Sequence, residues 1–175
     1  MFSYYPIIDY STNEFDTLSV VDITVRTKIN EYIRRIAGVG IRNYQIVNGA
    51  RPDVVSNNVY GKPQYAYIVL LVNEIHNIYD EWPRDSTTFR NYIIEKHGSL
   101  NYALETVAYY YDGDGNYVSQ DSWNALIDPN KYTETIYEYE LRLNDEKSQI
   151  KILDPSLILK VETTIQEILN SSIQL

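Results

Sequence analysis

The chain has 175 residues, with 15 Lys and Arg against 24 Asp and Glu, a net charge of −9 and no cysteine. That length fits one domain, or one domain with an appendage, and 44% hydrophobic against 22% charged residues is too apolar for a disordered chain. The acidic balance argues against a duplex-DNA binder, which needs a concentrated basic surface, and the lack of cysteine removes disulfides, thiolate zinc sites and thiol nucleophiles together.

Residues 1–20 read as an extended arm, because Pro6, the Asp9, Ser11 and Asn13 cluster and scattered aromatics such as Tyr4, Tyr5 and Tyr10 show no helical period. The start lacks the basic and apolar stretches of a signal peptide, and the longest apolar run, 65–72, is eight residues where a bilayer span needs about 20. Folding in a cytosol is the expectation. Within 21–43, Val25, Ile29, Tyr32, Ile33 and Ile36 recur at helical spacing, with Arg26, Lys28, Glu31, Arg34 and Arg35 largely opposite. Gly38 and Gly40 are expected to end that helix.

Tyr44-Gln45-Ile46-Val47 reads as a short strand closed by an Asn48-Gly49 turn. Pro52 opens a short helix that Gly61 ends, and Pro63 opens a second that stops near Asn73. Ser86 is expected to cap a helix that ends at Gly98. Residues 107–111 and 117–119 flank Asp112-Gly113-Asp114-Gly115-Asn116 as a β-hairpin. Residues 136–143 alternate, with Tyr137, Tyr139, Leu141 and Leu143 on one face and Glu138, Glu140 and Arg142 on the other. They predict a strand that turns through 144–147 into a second strand at 150–153. Asp154-Pro155 then caps a helix whose stripe is Leu157, Ile158, Val161, Ile165, Ile168 and Leu169. The predicted class is α+β, with segregated short helices and hairpins.

Tyrosine is the compositional oddity, at 18 residues against 3 Phe and 2 Trp. The rings belong either to surfaces that meet partners or to a core that uses Tyr for Phe, and composition leaves both open. Asp112, Asp114 and Asn116 match the opening of a calcium loop. However, Tyr117 stands where a sharp-turning Gly belongs and Trp123 where a bidentate Glu belongs, so an exposed hairpin tip is expected. His76 and His97 have no third ligand nearby in sequence, and His97 reads as a helix-end residue. Glu138 and Glu140 on one strand face would stand about 7 Å apart, compatible with a glycosidase pair but equally with a solvated strand face. No catalytic residue, metal ligand or cofactor site is predicted.

The order of motifs in 44–82 resembles the baseplate wedge protein 53 family of T-even-type contractile-tailed phages. The resemblance lies in Tyr44-Gln45-Ile46-Val47, Arg51-Pro52-Asp53, Val59-Tyr60-Gly61-Lys62-Pro63-Gln64, Val69-Leu70-Leu71-Val72-Asn73 and Tyr79-Asp80-Glu81-Trp82. A second block is similar to the family's tyrosine-and-glutamate element, through Tyr137-Glu138-Tyr139-Glu140, Asn144-Asp145-Glu146 and Gln149-Ile150-Lys151-Ile152. Tyr5-Pro6-Ile7-Ile8-Asp9-Tyr10 is similar to its opening arm. Tyr67 stands where the family usually has Trp, Ser148 where it has a basic residue, and Asn77-Ile78-Tyr79 where D-P-Y is typical.

The resemblance implies a LysM-like βααβ unit at 44–82, which the elements read from the residues follow as a helix and hairpin at 83–135 and a hairpin and C-terminal helix at 136–175. It also implies a structural subunit of the virion tail baseplate, made in the host cytoplasm, that joins neighbouring wedges around the central hub. The implied partners are other wedge core proteins, the sheath-initiating subunit and hub-proximal tail proteins, with no nucleic acid and no membrane. Tyr60, Gly61, Pro63, Tyr67, Trp82, Tyr137 and Tyr139 are expected as interface or core anchors, and Tyr4, Tyr5 and Tyr10 as arm residues. The alternative is a carbohydrate-binding module with a sugar groove near Gly49 and Arg51.

Overall fold

Proline and glycine punctuate several element boundaries in the computed structural model, which describes residues 7–11, 17–22 and 25–171. In chain order these are β1 (Ile7–Ser11), β2 (Thr17–Val21), α1 (Val25–Gly40), β3 (Ile41–Gln45), α2 (Pro52–Tyr60), a 3-10 turn at Pro63–Tyr65, and α3 (Ala66–Val72). There follow α4 (Ile78–Glu81), α5 (Ser86–His97), α6 (Leu100–Glu105), β4 (Val107–Tyr111), β5 (Tyr117–Val118) and α7 (Gln120–Ala125). The chain closes with β6 (Tyr132–Thr135), α8 (Ile136–Ser148), β7 (Gln149–Leu153), a 3-10 turn at Pro155–Leu157 and α9 (Ile158–Ser171). Among the described residues the helices are interspersed with three small sheets of two or three strands, which fits the α+β class. The chain divides into two compact units. One comprises 1–45, 50–78 and 150–175, and the other 46–49 and 79–149.

In the first unit, Ile29 and Ile33 of α1 meet Tyr65, Ile68, Leu71 and Val72 of the α3 region and Ile158, Val161, Ile165 and Leu169 of α9, with Leu153 beside them. Each set recurs every three or four residues, so each helix turns one stripe inward, and full burial of one such side chain stabilises by about 1.5–3 kcal/mol. The α9 stripe is the predicted one, and Asp154 caps the 3-10 turn that leads into α9, its carboxylate accepting from Ser156 N–H at 2.9 Å. Helix α1 does not stop at Gly38. It runs on to Gly40, where Asp154 N–H donates to the Gly40 carbonyl at 2.7 Å and β3 begins at the next residue. A mid-helix glycine costs only about 1 kcal/mol, less than the packing that α1 makes.

β3 pairs with β7. Hydrogen bonds from Asp154 N–H to Gly40 and from Ile46 N–H to Ser148 bracket the pair, so the strands are antiparallel. The strand lies over 41–45, three residues before the predicted 44–47. Of the βααβ arrangement expected within 44–82, the two helices α2 and α3 lie there, β3 overlaps only its first two residues, and the strand paired to β3 comes from 149–153.

The second unit has its buried nucleus at Phe89, Ile93 and Ala103, against which Tyr92, Leu100, Ile136, Tyr137 and Leu141 pack. Helix α5 is capped by Asp85, one residue before the predicted Ser86, and ends at Gly98 as predicted. The 107–118 hairpin forms as predicted, and β6, which was not anticipated, completes the antiparallel order β5-β4-β6.

The predicted strand at 136–143 is helix α8, and the hairpin expected around 144–147 does not exist. Thr135 starts the helix with a capping box. Its Oγ1 accepts from Glu138 N–H at 3.2 Å, and Glu138 Oε2 accepts from Thr135 N–H at 2.8 Å. Glu138, Glu140, Leu141, Arg142, Leu143, Glu146 and Lys147 are all strong helix formers. The inward stripe is hard to read because polar residues interrupt it beside Tyr137 and Leu141. Glu140 and Ser148 are buried, and Asn144 clasps the Arg84 backbone, accepting its N–H at 2.8 Å and donating to its carbonyl at 3.1 Å.

Candidate interaction surfaces

Turn chemistry at the α2–α3 elbow explains several predicted anchors of the first unit. Gly61 takes φ +70° as the left-handed cap of α2, and its N–H donates to Asn57 at 2.9 Å. Pro63 opens the 3-10 turn, and the buried Ser56 hydroxyl donates to the Lys62 carbonyl at 2.6 Å. Tyr60 stands edge-on to Tyr65, with ring centroids 6.1 Å apart. Its hydroxyl accepts from Leu153 N–H at 3.0 Å and donates to the Leu153 carbonyl at 3.2 Å, tying the elbow to the end of β7.

Asn73 makes the matching clasp. Its side chain accepts from Lys151 N–H at 2.8 Å and donates to the Lys151 carbonyl at 2.7 Å, as a neighbouring strand would. Tyr67 packs, half-buried, on the same core. Tyr60 and Asn73 therefore hold β7 from positions 93 and 78 residues distant in sequence.

Burial pushes the Tyr60 hydroxyl up to about 12. A raised tyrosine favours the folded state fully below its unfolded value near 10, and that contribution is lost as pH rises through the folded value. Tyr60→Phe is expected to cost about 1–2 kcal/mol at neutral pH, through the two lost hydrogen bonds. It is also expected to flatten the fall in stability between pH 10 and 12, which paired denaturant titrations of the two proteins would measure.

The described part of the predicted arm is a two-stranded ribbon. β1 and β2 pair antiparallel with Ile8 opposite Val20, Asp9 opposite Ser19, and Tyr10 opposite Leu18. Directly opposed residues share a face, so Ile8, Val20, Tyr10 and Leu18 make one apolar face, each residue 39–60% exposed. The other face is polar toward its tip, where Ser19 Oγ donates to Asp9 at 2.8 Å. Tyr4 and Tyr5 lie outside the described residues.

In the second unit Trp82 is buried, and Tyr137 packs edge-on against Phe89 with centroids 5.6 Å apart. Tyr139 belongs to a cluster on one face of the three-stranded sheet. Tyr111 is opposite both Tyr117 and Tyr132, and Tyr109 lies two residues along the same strand. Tyr111 stacks on Tyr132 and Tyr109 meets Tyr139, each at 4.9 Å, while Tyr109 and Tyr117 meet edge-on at 5.8 Å. Glu134 fixes the cluster, accepting from the Tyr111 hydroxyl at 3.0 Å and from Arg142 Nε at 2.9 Å. The Arg142 guanidinium holds the Glu134 carboxyl below the ordinary range. On the opposite face, Tyr110 meets Trp123, over which the Lys131 ammonium sits at 4.2 Å.

The carboxylates considered for catalysis do not converge. Residues two apart on a helix point about 200° apart, and Glu138 is spent on the capping box. Glu140 is buried, accepting from Lys96 at 2.8 Å, from the Tyr92 hydroxyl at 3.2 Å, and lying 3.1 Å from His97 Nε2. Burial pushes its carboxyl up, but the Lys96 ammonium and the His97 ring outweigh this and hold it below the ordinary range. His97 is thus part of an internal network at the end of α5.

Asp112 turns its carboxylate onto its own loop, accepting from Asn116 N–H at 2.8 Å and Asp114 N–H at 3.1 Å, which is the geometry of a hairpin tip. Gly49, proposed for a sugar groove, packs against the backbone of Arg84 and Asp85, and Asn48 accepts from Ser86 N–H at 3.3 Å. Among the described residues no group of three His, Cys, Asp or Glu is placed to hold a metal ion, and no helix is long and apolar enough to cross a membrane.

Sequence reasoning missed the apolar ribbon face and the tyrosine cluster. Alternation in Ile7-Ile8-Asp9-Tyr10-Ser11 and Thr17-Leu18-Ser19-Val20-Val21 was the available signal for the first. For the second it was the Tyr109-Tyr110-Tyr111 run opposite Tyr117. Comparison with known proteins agrees with the motif order. The family model described as Base plate wedge protein 53 matches residues 1–138. Over 177 aligned residues the chain is 25% identical to baseplate wedge protein gp53 of Enterobacteria phage T4, an alignment covering 89% of each chain.

Proposed function

The chain belongs to the base plate wedge protein 53 family, a family of phage baseplate structural proteins, and from that premise we propose that it joins neighbouring wedges around the tail hub by lasting protein contacts, without catalysis. The observation that supports this most is the apolar face of the β1–β2 ribbon. Ile8, Tyr10, Leu18 and Val20 expose large side chains together on a paired scaffold, which a soluble free protein has reason to avoid and an assembly subunit has reason to keep. Other wedge core proteins, the sheath-initiating subunit and hub-proximal tail proteins are the partners in this reading, with the tail baseplate as its place and the host cytoplasm as its site of synthesis.

Tyr60, Gly61, Pro63 and Tyr67 serve as internal anchors, because their contacts described above are spent within the first unit. The LysM-like unit is kept with one change: β3, α2 and α3 supply its first three elements and β7 its last. A glycan-binding role for that unit is disfavoured by the backbone that covers Gly49.

Placing a carboxylate at Tyr10 or at Leu18 tests the proposal. Tyr10→Asp and Leu18→Asp, made singly so that no two carboxylates face each other across the ribbon, change exposed positions, so the thermal midpoint of each is expected to stay within about 2 °C of wild type. Incorporation into tail particles, measured by complementation and quantitative blotting of purified tails, is expected to fall at least about tenfold, the loss that an unmatched charge in a buried contact brings. Wild-type incorporation of either folded variant would contradict the assignment.

A further inference from the structure

We infer that the tyrosine face of the β5-β4-β6 sheet is a docking surface for an arginine-bearing segment of a partner protein. This rests on the assembly reading above, and it adds the location of the contact and the chemistry of what fits it.

Charge is the first observation. The second unit holds 14 Asp and Glu against 6 Lys and Arg, so it accounts for −8 of the chain's net −9. Its tyrosine face is an acidic unit's most concentrated aromatic surface. The row Tyr117–Tyr111–Tyr132 is the last paired row of the sheet, and Asp112 and the exposed Asp114 follow directly at the hairpin tip. Tyr117 and Tyr132 are 66% and 49% exposed, so broad ring area faces outward, with the exposed Asp114 at the hairpin tip that follows Tyr111 in the chain. Along α8, on the helix that supplies Tyr139, a shallow groove of about 370 Å³ is lined by Glu138, Asp145 and Glu146 together with Leu141, Gln149 and a single cation, Arg142.

The unit's own cations display the recognition chemistry. Arg84 lies 4.1 Å over Tyr92, Lys131 4.2 Å over Trp123, and Arg142 5.2 Å over Tyr139 while it pairs with Glu134 and Glu146. Arg142 is the template: one guanidinium stands over a ring and hydrogen-bonds two carboxylates at the same time. An ammonium, a point charge without a planar fork, does this less well. A ring-and-carboxylate surface of net negative charge therefore fits arginine better than lysine. It disfavours nucleic acid and acidic partners.

The test titrates the full chain with a labelled 12-residue peptide of alternating arginine and glycine, read by fluorescence anisotropy, beside its lysine–glycine counterpart. Saturable binding of the arginine peptide is expected, several-fold tighter than the lysine peptide. Tyr117→Ser with Tyr132→Ser should weaken it about tenfold, and Tyr117→Phe with Tyr132→Phe should retain it, because the ring and not the hydroxyl receives the cation. Equal binding of both peptides, or a serine variant that binds as tightly as wild type while showing a wild-type melt, would overturn the inference.

Tail incorporation of the serine variant, measured in parallel, separates this inference from the reading on which it rests. Reduced incorporation supports the docking surface. A variant that loses the peptide yet enters tails at wild-type yield removes this face from assembly and leaves the ribbon assignment standing.

Discussion

Gly49→Ala is expected to destabilise the second unit by about 3 kcal/mol or more, the larger part of it from a backbone collision. Asn48 and Gly49 both have positive φ, at 45° and 61°, so the turn needs the left-handed region twice in succession. Asparagine tolerates that region, whereas alanine pays about 1–2 kcal/mol there. A methyl at position 49 would also stand 2.7 Å from the Arg84 carbonyl carbon and 2.8 Å from Asp85 Cα, and closer still to Asp85 N. These are backbone atoms and cannot swing aside.

Asp85 is in addition the cap of α5, accepting from Thr87 and Thr88 N–H at 2.9 and 3.0 Å, so displacing it loosens the start of that helix. Gly61→Ala is the control. Gly61 has a similar φ, 70°, but nothing lies within 4 Å of the position its Cβ would take, so strain alone costs about 1 kcal/mol. Chemical denaturation of both variants reads the comparison. Equal losses would mean that the Arg84–Asp85 backbone does not lie against the turn.

Glu140→Ala is expected to cost about 2–3 kcal/mol at neutral pH. The side chain is buried and is the common acceptor for Tyr92, Lys96 and His97, so truncation removes three partners and leaves the Tyr92 hydroxyl and the half-buried His97 ring without this carboxylate. Lys96 is about half exposed and rehydrates, which keeps the loss at the lower end for a buried ion pair. The acid dependence follows from the direction of the shift. Because the folded carboxyl is held below its ordinary value of 4.5, the unfolded chain binds the proton more readily. The contribution is therefore complete above that value and is lost as pH falls through the folded one. Glu140→Gln should be destabilised at pH 7 and approach wild type only as pH falls through the lowered value of the folded carboxyl, with hydrogen exchange of α5 and α8 amides as the local readout. A wild-type-like acid profile in the glutamine variant would mean that the network is not ionic.

The two variants mark what the sequence could and could not disclose. Local turn chemistry was readable: Pro52, Gly61, Pro63 and Asn73 bounded α2 and α3, Asp112–Asn116 gave the hairpin, and Asp154-Pro155 gave the turn that leads into α9. These signals act within four or five residues, the range over which backbone sterics and capping operate. Helix α8 was misread because a helix is recognised by an apolar stripe, and here Glu140, Asn144 and Ser148 stand in that stripe, the first two with partners 44 and 60 residues away in sequence and Ser148 bonded to the Asp145 carbonyl within the helix.

The pairing of β3 with β7 was unreadable for a related reason, since about 100 residues separate the strands and no short-range pattern encodes register over that distance. The motif order did single out Tyr60 and Asn73 as family features, and the structure gives their physical reason: two clasps on the backbone of β7. The apolar ribbon face and the tyrosine sheet face were hidden because each arises from pairing. Alternating residues become a surface only once a partner strand fixes their register.

Hydroxyl-radical labelling, read residue by residue by mass spectrometry on the isolated chain and on assembled tails, addresses the central claim most directly. On this account Ile8, Tyr10, Leu18 and Val20 label strongly in the free protein and are protected once the tail is built, while Leu159, exposed on α9, provides the internal reference. Undiminished labelling of all four ribbon residues in complete tails that contain the chain would contradict it.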